Sequence, residues 1–283
     1  MPVCILVRSY HTDDGWRISQ QMTNRVSNEL QHRRVNRRVA ALSAAVVLAG
    51  CTICGIGYAQ EIDNIVTDRP SFSASPVTVD KGIWQTEFGY LFTHIDSDLS
   101  SHSLPNALVR FGLADDAELQ ISWSGYNRLE SGSVSTDGFS DVSIGGKWQL
   151  SEDDARTRFA FLASISIPAG DEAFSSDSYD PQISFIWSHS GGLEWFGMAT
   201  LSKSGGNNSF SNGLGLSFSL GDESALFVEH VVTLPEKGSS SHELNSGLAF
   251  LRGTDMQFDI HASVGLNSSA SDFALGAGFS KRF

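Results

Sequence analysis

The sequence predicts an all-β protein that forms a single transmembrane up-and-down antiparallel β-barrel of about 12 strands. From residue 82 onward, stretches of about ten residues alternate large apolar side chains with small or polar ones, which is the period of a β-strand. The face opposite the apolar one carries mainly Ser and Gly. An even number of such strands returns both ends of the chain to the same side of the membrane.

The first 60 residues differ from this pattern and are typical of an export signal. The basic run His32–Arg38 precedes an apolar run that closes on Ala59 and Gln60. We therefore expect residues 1–60 to be an N-terminal extension with a signal peptide that is cleaved near Ala59 or Gln60. The apolar run is also about long enough to remain as an uncleaved membrane anchor.

Two further features of this extension leave alternatives open. Met1 lies unusually far from the apolar run, so Met22 is a second candidate start. Leu48–Cys51 resembles the lipid-attachment box of bacterial lipoproteins, which would make Cys51 the lipidated terminus. Because the chain stays apolar after Cys51, ordinary signal cleavage is the interpretation that we favour.

The charge and cysteine content of the remaining chain argue against several kinds of site. The whole chain has 19 basic and 32 acidic residues, of which seven and three precede residue 61, so residues 61–283 carry a net charge of −17. Nucleic-acid binding needs basic surface and is not expected. Cys4, Cys51 and Cys54 all lie in the extension, so we expect no disulfide framework and no thiolate metal site. No metal-ligand spacing or phosphate-binding glycine loop is present, and no cofactor is expected.

The individual strands follow from the alternation. The first, Gly82–His94, places Trp84 and Phe88 on one face and Glu87 on the other. Later stretches alternate as cleanly, and only the ninth, Glu223–Thr233, does not reveal which face is the apolar one.

The predicted connections alternate between long polar ones and tight ones, as expected for a barrel whose two rims differ. The long ones lie near residues 96–102, 127–138, 170–180, 204–208 and 235–242. The tight ones lie near residues 113–116, 151–155, 190–192, 221–222 and 252–255. We call the two sides of the barrel the long-loop rim and the short-turn rim.

A soluble sheet protein and a membrane barrel both fit these strands, and the polar face decides between them. The water-facing side of a soluble sheet would carry many Lys, Glu and Thr, whereas Ser and Gly suit the narrow interior of a closed tube. The apolar faces also carry the aromatic residues that membrane barrels place at their interfaces. These include Trp84, Trp123, Trp148, Trp187 and Trp195. We therefore expect the apolar face to meet lipid.

Several short sequence motifs occur in the order found in one bacterial family. They are Thr67–Pro70, Val79–Tyr90, Leu108–Gln120, Gly138–Leu150 and Ile165–Glu172. Together they resemble the outer-membrane family named for the meta-pathway of phenol degradation, whose members are described as transporters. The resemblance spans essentially all of the chain after the extension. It implies an outer-membrane β-barrel and the passage of small solutes, with aromatic compounds as one candidate class.

With the apolar face outside, charged side chains on the other face line the lumen. The predicted lumen charge belt consists of Glu87, Arg110, Glu118, Asp141, Lys147 and Arg158. A hairpin centred on Ala114 would place Arg110 opposite Glu118 as a cross-strand ion pair. Two interpretations of the belt stay open: salt bridges that hold the first strands in register, and a constriction that filters solutes by charge and size.

Other residues bear on the lumen as well. Glu243, Asp259 and His261 are predicted to face inward and to make the lumen negative, which favours cations or neutral solutes. Residues 61–81 precede the barrel of residues 82–283 and form either a periplasmic lead-in or a plug. Twelve strands leave a backbone radius of roughly 12 Å, so a short segment could fill the space. As a plug, the segment would contact lumen carboxylates through Arg69.

The function that follows is a passive outer-membrane channel for small solutes. One alternative is a structural or surface-interaction barrel without an open pore, which displays loops such as Gly170–Asp180. The other is a hydrolase, because His94, His189 and His230 occur among many serines. None of these lies in a Gly-x-Ser-x-Gly elbow, so we predict no catalytic residue and no enzyme.

The chain closes on Phe273–Phe283, which reads as the last strand with Phe283 as its final residue. Outer-membrane barrels resemble one another in carrying such a terminal aromatic residue. We therefore predict that Phe283 is an assembly signal, with outer-membrane lipid and the barrel-assembly machinery as partners besides the solute.

Overall fold

The computed structural model describes residues 63–283, which fold into β-strands joined by turns and loops. The strands are β1 (Trp84–Asp96), β2 (Leu99–Leu104), β3 (Ala107–Ala114), β4 (Ala117–Trp123), β5 (Tyr126–Ser131), β6 (Val134–Phe139), β7 (Val142–Gln149), β8 (Thr157–Ile167), β9 (Asp180–His189), β10 (Glu194–Ser204), β11 (Asn207–Ser219), β12 (Ser224–Pro235), β13 (Ser241–Leu251), β14 (Met256–Gly265) and β15 (Phe273–Arg282). Residues 63–283 contain no helix long and apolar enough to cross a membrane. The predicted signal, anchor and lipid-attachment features fall on residues 1–62, outside the described part of the chain.

The strands close into one antiparallel barrel. Strand β15 pairs with β1 from Gln85–Arg282 to His94–Phe273, which joins the two ends of the sheet. Three pairs of short strands, β2 with β3, β4 with β5 and β6 with β7, continue one another across brief interruptions. Near the short-turn rim β1 pairs with β3, and farther along it pairs with β2. Counting each of these pairs as one bent strand gives a closed barrel of 12 strands, which confirms the predicted number and architecture.

The two faces of the wall differ as their side chains require. Gln85 and Glu87 on β1 are buried, whereas Trp84 and Phe88 on the opposite face are half-buried and Tyr90 is exposed. The same alternation runs around the wall, where large apolar side chains such as Trp148 and Leu214 are about half exposed on the outside. On β12, Phe227 and Glu229 face the lumen and Val228 faces outward, which assigns the face that the sequence left open.

Three of the predicted long connections are wrong, because strands occupy most of their residues. Strand β1 runs to Asp96 and β2 starts at Leu99, while β5 and β6 fill most of residues 127–138. Residues 204–208 contain only a tight turn at Gly205 and Gly206, both with positive φ, as a two-residue hairpin favours. Beyond the membrane the outer face no longer needs apolar residues, so these strand ends read as polar loops. Residues 168–179, 236–240 and 266–272 form true loops on the long-loop rim.

Candidate functional site

Residues 63–81 run into the barrel and back to the same rim, and we call them the lumen segment. Near its start, the Ile65 amide donates to the Thr254 carbonyl (2.7 Å) in a short turn. At its far point, the amides of Phe72 and Ser73 donate to the Glu229 carboxylate on β12 (2.8 and 3.0 Å). The segment returns beside β3, where Lys81 forms a parallel bridge with Gly112. Its contacts therefore reach inward-facing residues on both sides of the barrel.

A cluster of buried charges joins this segment to the wall. Arg110 on β3 contacts Glu118 on β4 (Nε–Oε1, 2.8 Å) and Glu87 on β1 (Nη1–Oε1, 3.3 Å). The Lys147 Nζ on β7 donates to both Asp68 oxygens (2.7 and 2.9 Å) and lies 3.5 Å from Glu118 Oε1. The side chains of the four wall residues are fully buried, and Asp68 is the member that the lumen segment supplies. We call these five residues the charge cluster.

Backbone groups of the lumen segment complete the cluster. The amides of Asp68 and Arg69 donate to Glu87 (3.1 and 3.0 Å), and the Val79 amide donates to Glu118 (2.6 Å). In the other direction, Arg110 donates to the carbonyl of Val77 (2.8 Å). Because unpaired buried charges are costly, the wall charges and the segment satisfy each other and fix the path of the segment.

The positive charges beside Asp68 keep its carboxyl group ionised. Burial by itself raises the pKa of the Asp68 carboxyl, but the positive charges of Arg110 and Lys147 outweigh it and hold the pKa at about 2. The carboxylate also accepts hydrogen bonds from the Ser75 amide (3.0 Å) and from Gln120 (3.0 Å). Asp68 is thus a permanent anion of the cluster at neutral pH.

The Arg69 side chain does not join the charge cluster, although it follows Asp68 in the chain. It lies over the seam where β1 meets β15. Its guanidinium contacts Asp259 on β14 (Nη2–Oδ1, 3.1 Å). Gly89 and Gly278 face each other across the seam, and a Cβ on either would overlap the guanidinium. The two glycines therefore form the shallow floor on which Arg69 rests.

The far point of the segment combines a carboxylate anchor with apolar contacts. Ala74 is buried in a cluster with Leu162, Ile186 and Met198 on the inner wall, and Phe72 packs against that cluster. Glu229, which binds the amides of Phe72 and Ser73, is fully buried. The sequence did not single out Asp68, Glu229 or this apolar patch. Asp68 lies within the Thr67–Pro70 motif, and Glu229 lies on the ninth stretch, whose two faces the alternation does not distinguish. Leu162 is a large residue on a face of mainly small ones.

Two members of the predicted belt lie elsewhere. Asp141 accepts hydrogen bonds from the amides of Gly170 (2.9 Å) and Ser176 (3.1 Å) and so holds the loop of residues 168–179 at the long-loop rim. It is six residues from Lys147, about 20 Å along a strand. Arg158 donates to the carbonyls of Asp153 and Ala155 in a short turn. Both residues lie on the same inner face as the cluster, but at other positions along the barrel axis.

The predicted register of the Arg110–Glu118 hairpin is also wrong. Arg110 pairs with Gln120, and Glu118 pairs with Gly112, because the turn is centred on Asp115 and Asp116 and not on Ala114. The ion pair forms all the same as a diagonal contact. Long side chains can bridge such diagonal neighbours on one face of a sheet.

The remaining candidates lie apart from the charge cluster. Phe283 is exposed at the short-turn rim, and its amide donates to the Trp84 carbonyl (2.8 Å), which extends the seam. His94 lies 3.8 Å from Asp272, His189 contacts Thr157 (2.8 Å) and His230 contacts His242 (3.3 Å), three separate places on the wall. Within residues 63–283, no group of three His, Cys, Asp or Glu side chains could hold a metal ion.

The fold is similar to that of solved outer-membrane barrels. The COG4313 outer membrane channel from Pseudomonas putida F1 is 13% identical, with a TM-score of 0.52 over 73% of this chain and 97% of that chain. The KdgM porin in complex with disordered oligogalacturonate is 8% identical, with a TM-score of 0.47 over 70% and 99%. The CymD monoaromatic hydrocarbon channel is 8% identical, with a TM-score of 0.42 over 72% and 89%. A comparison with curated proteins finds no match.

The family comparison agrees with the architecture. One family model matches residues 67–283, from the start of the Thr67–Pro70 motif through the whole barrel. The protein is an outer-membrane β-barrel. It belongs to the family described as "Putative MetA-pathway of phenol degradation".

Proposed function

We propose that the protein is a channel for small solutes that is closed at rest by the lumen segment and opens when this segment is displaced. The observation that carries the proposal is the way in which residues 63–81 occupy the lumen. They cross from wall to wall, and their polar groups match charged groups of the wall. All of these contacts are hydrogen bonds or ion pairs, so the segment can leave the lumen without breaking a covalent bond.

The proposed solutes are small and either neutral or cationic. Asp259 and Glu229 are inward-facing carboxylates whose contacts come largely from the lumen segment, namely from Arg69 and from the Phe72 and Ser73 amides. With the segment displaced, both would face the pore. A narrow pore with surplus carboxylates repels anions. The family label adds aromatic compounds as one candidate class of neutral solute.

A reversible tether tests the proposal directly. Residues 61–283 contain no cysteine, so an engineered pair has no competing native thiol in the processed chain. A Cβ at Gly213 would lie 2.5 Å from the Ser73 Oγ and 2.5 Å from the Glu229 Oε1. The double variant S73C and G213C therefore brings two cysteines close enough for a disulfide that holds the far point of the segment against the wall, with a shift of the Glu229 side chain to make room. In a planar bilayer we expect the oxidised variant to be silent and the reduced variant to show discrete conductance steps.

The matched control is a disulfide that joins two wall strands without touching the segment. The hydroxyls of Ser211 on β11 and Thr233 on β12 lie 3.0 Å apart, so the double variant S211C and T233C suits this purpose. Its conductance should not depend on the redox state. Equal conductance of the oxidised and reduced S73C and G213C variant would reject the closing role of the segment. Silence of every variant, with folding verified by heat-dependent gel mobility, would favour the structural barrel.

A further inference from the structure

A cavity of about 200 Å³ lies between the lumen segment and the inner wall. The segment forms one side of it with Thr67, Ser71 and residues 73–76, and strands β9 to β13 form the other. The wall side includes Phe196, Ser217, Phe227 and Ala249. The cavity therefore exists in this form only while the segment is in place.

Two aromatic rings shape the wall side of the cavity. The rings of Phe196 and Phe227 meet edge to face, with centroids 6.2 Å apart. Each faces a glycine on the neighbouring strand, since Phe196 pairs with Gly215 and Phe227 pairs with Gly247. A Cβ on either glycine would overlap the facing ring. The rings consequently lie against the wall and leave free space in front of them.

The remaining lining is small and uncharged. The hydroxyl-bearing residues Ser71, Ser188 and Ser217 border the cavity together with Ala225 and other apolar groups, and none of the lining residues carries a formal charge. A charged ligand would lose its hydration without gaining a partner here. A cavity of roughly 150 Å³ with an apolar lining is known to hold benzene, so this space suits a single ring with a small substituent.

We propose that this cavity binds an uncharged single-ring solute with a hydroxyl or similar small polar substituent, and that binding stabilises the closed channel. The ring would pack on Phe196 and Phe227, and the substituent would reach the serine hydroxyls. Because a ligand shifts a protein toward the state that it binds better, a solute held between segment and wall favours the inserted segment. Only this second part rests on the proposed channel function.

The binding part is tested by calorimetric titration of the folded barrel in detergent, with phenol as the probe and benzoate as its charged counterpart. We expect saturable binding of phenol and at least about tenfold weaker binding of benzoate. Phe196→Ala should weaken phenol binding about tenfold, through the lost ring contact. Ala249→Met should weaken it by filling the space.

The matched control is Phe218→Ala, which removes a partly exposed ring from the outer face of β11. This variant should bind phenol as the unaltered protein does. Equal binding of phenol and benzoate, or an equal loss in Phe196→Ala and Phe218→Ala, would mean partition into detergent or non-specific contact and would overturn the site. A folded Ala249→Met barrel that binds phenol with unchanged affinity would also overturn it.

The regulatory part is tested by conductance with phenol present. We expect phenol to lower the open fraction of the unaltered protein and of Phe218→Ala, and to have no effect on Ala249→Met. A rise in the open fraction, or the same fall in Ala249→Met, would overturn the link between binding and closure. If no variant conducts, the channel proposal fails, whereas the titration still decides whether the cavity binds the solute.

Discussion

Lys147 is a fully buried ammonium group whose shortest carboxylate contacts come from Asp68, a residue that is not part of the barrel wall. Its contact with Glu118 is longer, at 3.5 Å. Glu118 is moreover engaged by Arg110 through two hydrogen bonds. Asp68 therefore neutralises a wall charge that the wall itself satisfies only in part.

We predict that Asp68→Asn destabilises the inserted state of the lumen segment by about 3–5 kcal/mol, because it breaks a buried ion pair and leaves Lys147 without its main partner. The open fraction in a planar bilayer and the rate of proteolysis within residues 63–81 should both rise. The double variant Asp68→Asn with Lys147→Gln should recover part of the loss, since no charge is left alone. An Asp68→Asn variant with unchanged open fraction and unchanged proteolysis would contradict the role of the ion pair.

The same residue predicts how closure depends on pH. The pKa of Asp68 is about 2 in the cluster and has an ordinary value of 3.8. A group whose pKa falls on insertion stabilises the inserted state fully above the ordinary value, and this stabilisation is lost as the pH falls toward 2. We expect an Asp68-dependent rise in the open fraction only below about pH 4. The measurement is conductance from pH 7 to pH 3, with Asp68→Asn as the reference that lacks this component. A rise centred near pH 6 would assign the response to another group.

At the scale of elements, the first and last strands close the barrel and also support Arg69 of the lumen segment. Strands β1 and β15 close the barrel by pairing along ten residue pairs, and the Phe283 amide adds a further bond to Trp84. The same seam carries the Gly89–Gly278 floor under Arg69. The seam between β1 and β15 thus closes the wall and also supports Arg69 of the lumen segment.

We predict that deletion of Phe283 lowers the amount of folded barrel in the outer membrane several-fold, and leaves the conductance of the assembled fraction unchanged. Its side chain is exposed, so its loss removes little packing but takes away the terminal aromatic residue that we propose the assembly machinery binds. Heat-dependent gel mobility of isolated membranes measures the folded fraction. Phe273→Ala, at the opposite end of the same strand, is the matched control. An equal yield for the deletion and the unaltered chain would reject the signal.

The elements also show what the sequence could and could not predict. Alternation identified the strands and their faces wherever the outer face meets lipid, because lipid requires apolar side chains there. It failed for the ends of β1, β2, β5 and β6, where polar residues on both faces hide the period. The alternation places Glu87 and Lys147 on the inner face but does not give their position along the barrel axis. It therefore groups Asp141 and Arg158 with them. The contact of Asp68 with Lys147 joins positions 79 residues apart and has no local signal.

At the scale of the whole molecule, the distribution of charge around the lumen is uneven. On the side formed by β1, β3, β4 and β7, Arg110 and Lys147 balance the carboxylates of Glu87 and Glu118. On the side formed by β12 to β14, Glu229 and Asp259 are matched mainly by groups of the lumen segment. Displacement of the segment would leave a pore with one nearly neutral wall and one acidic wall.

We therefore predict that the open state conducts cations in preference to anions. The reversal potential in a salt gradient measures this preference in the reduced S73C and G213C variant. The double variant Glu229→Gln with Asp259→Asn should shift the potential toward zero, because it removes two of the inward-facing carboxylates. Glu236→Gln, in the exposed loop that follows β12, is the control for a charge outside the pore. Anion preference in the unaltered pore would contradict the prediction.

Both ends of the lumen segment lie at the short-turn rim, one beside Thr254 and the other beside Gly112. A chain arranged in this way can be withdrawn as a loop, without threading an end through the barrel. Tension applied at residue 63 would load the contacts of the segment one after another, beginning with the Arg282–Asp63 and Ile65–Thr254 hydrogen bonds and then those of Asp68. The contacts would then break a few at a time and not all together. Under the channel function that we propose, mechanical pulling from that side of the membrane would open the pore without unfolding of the wall.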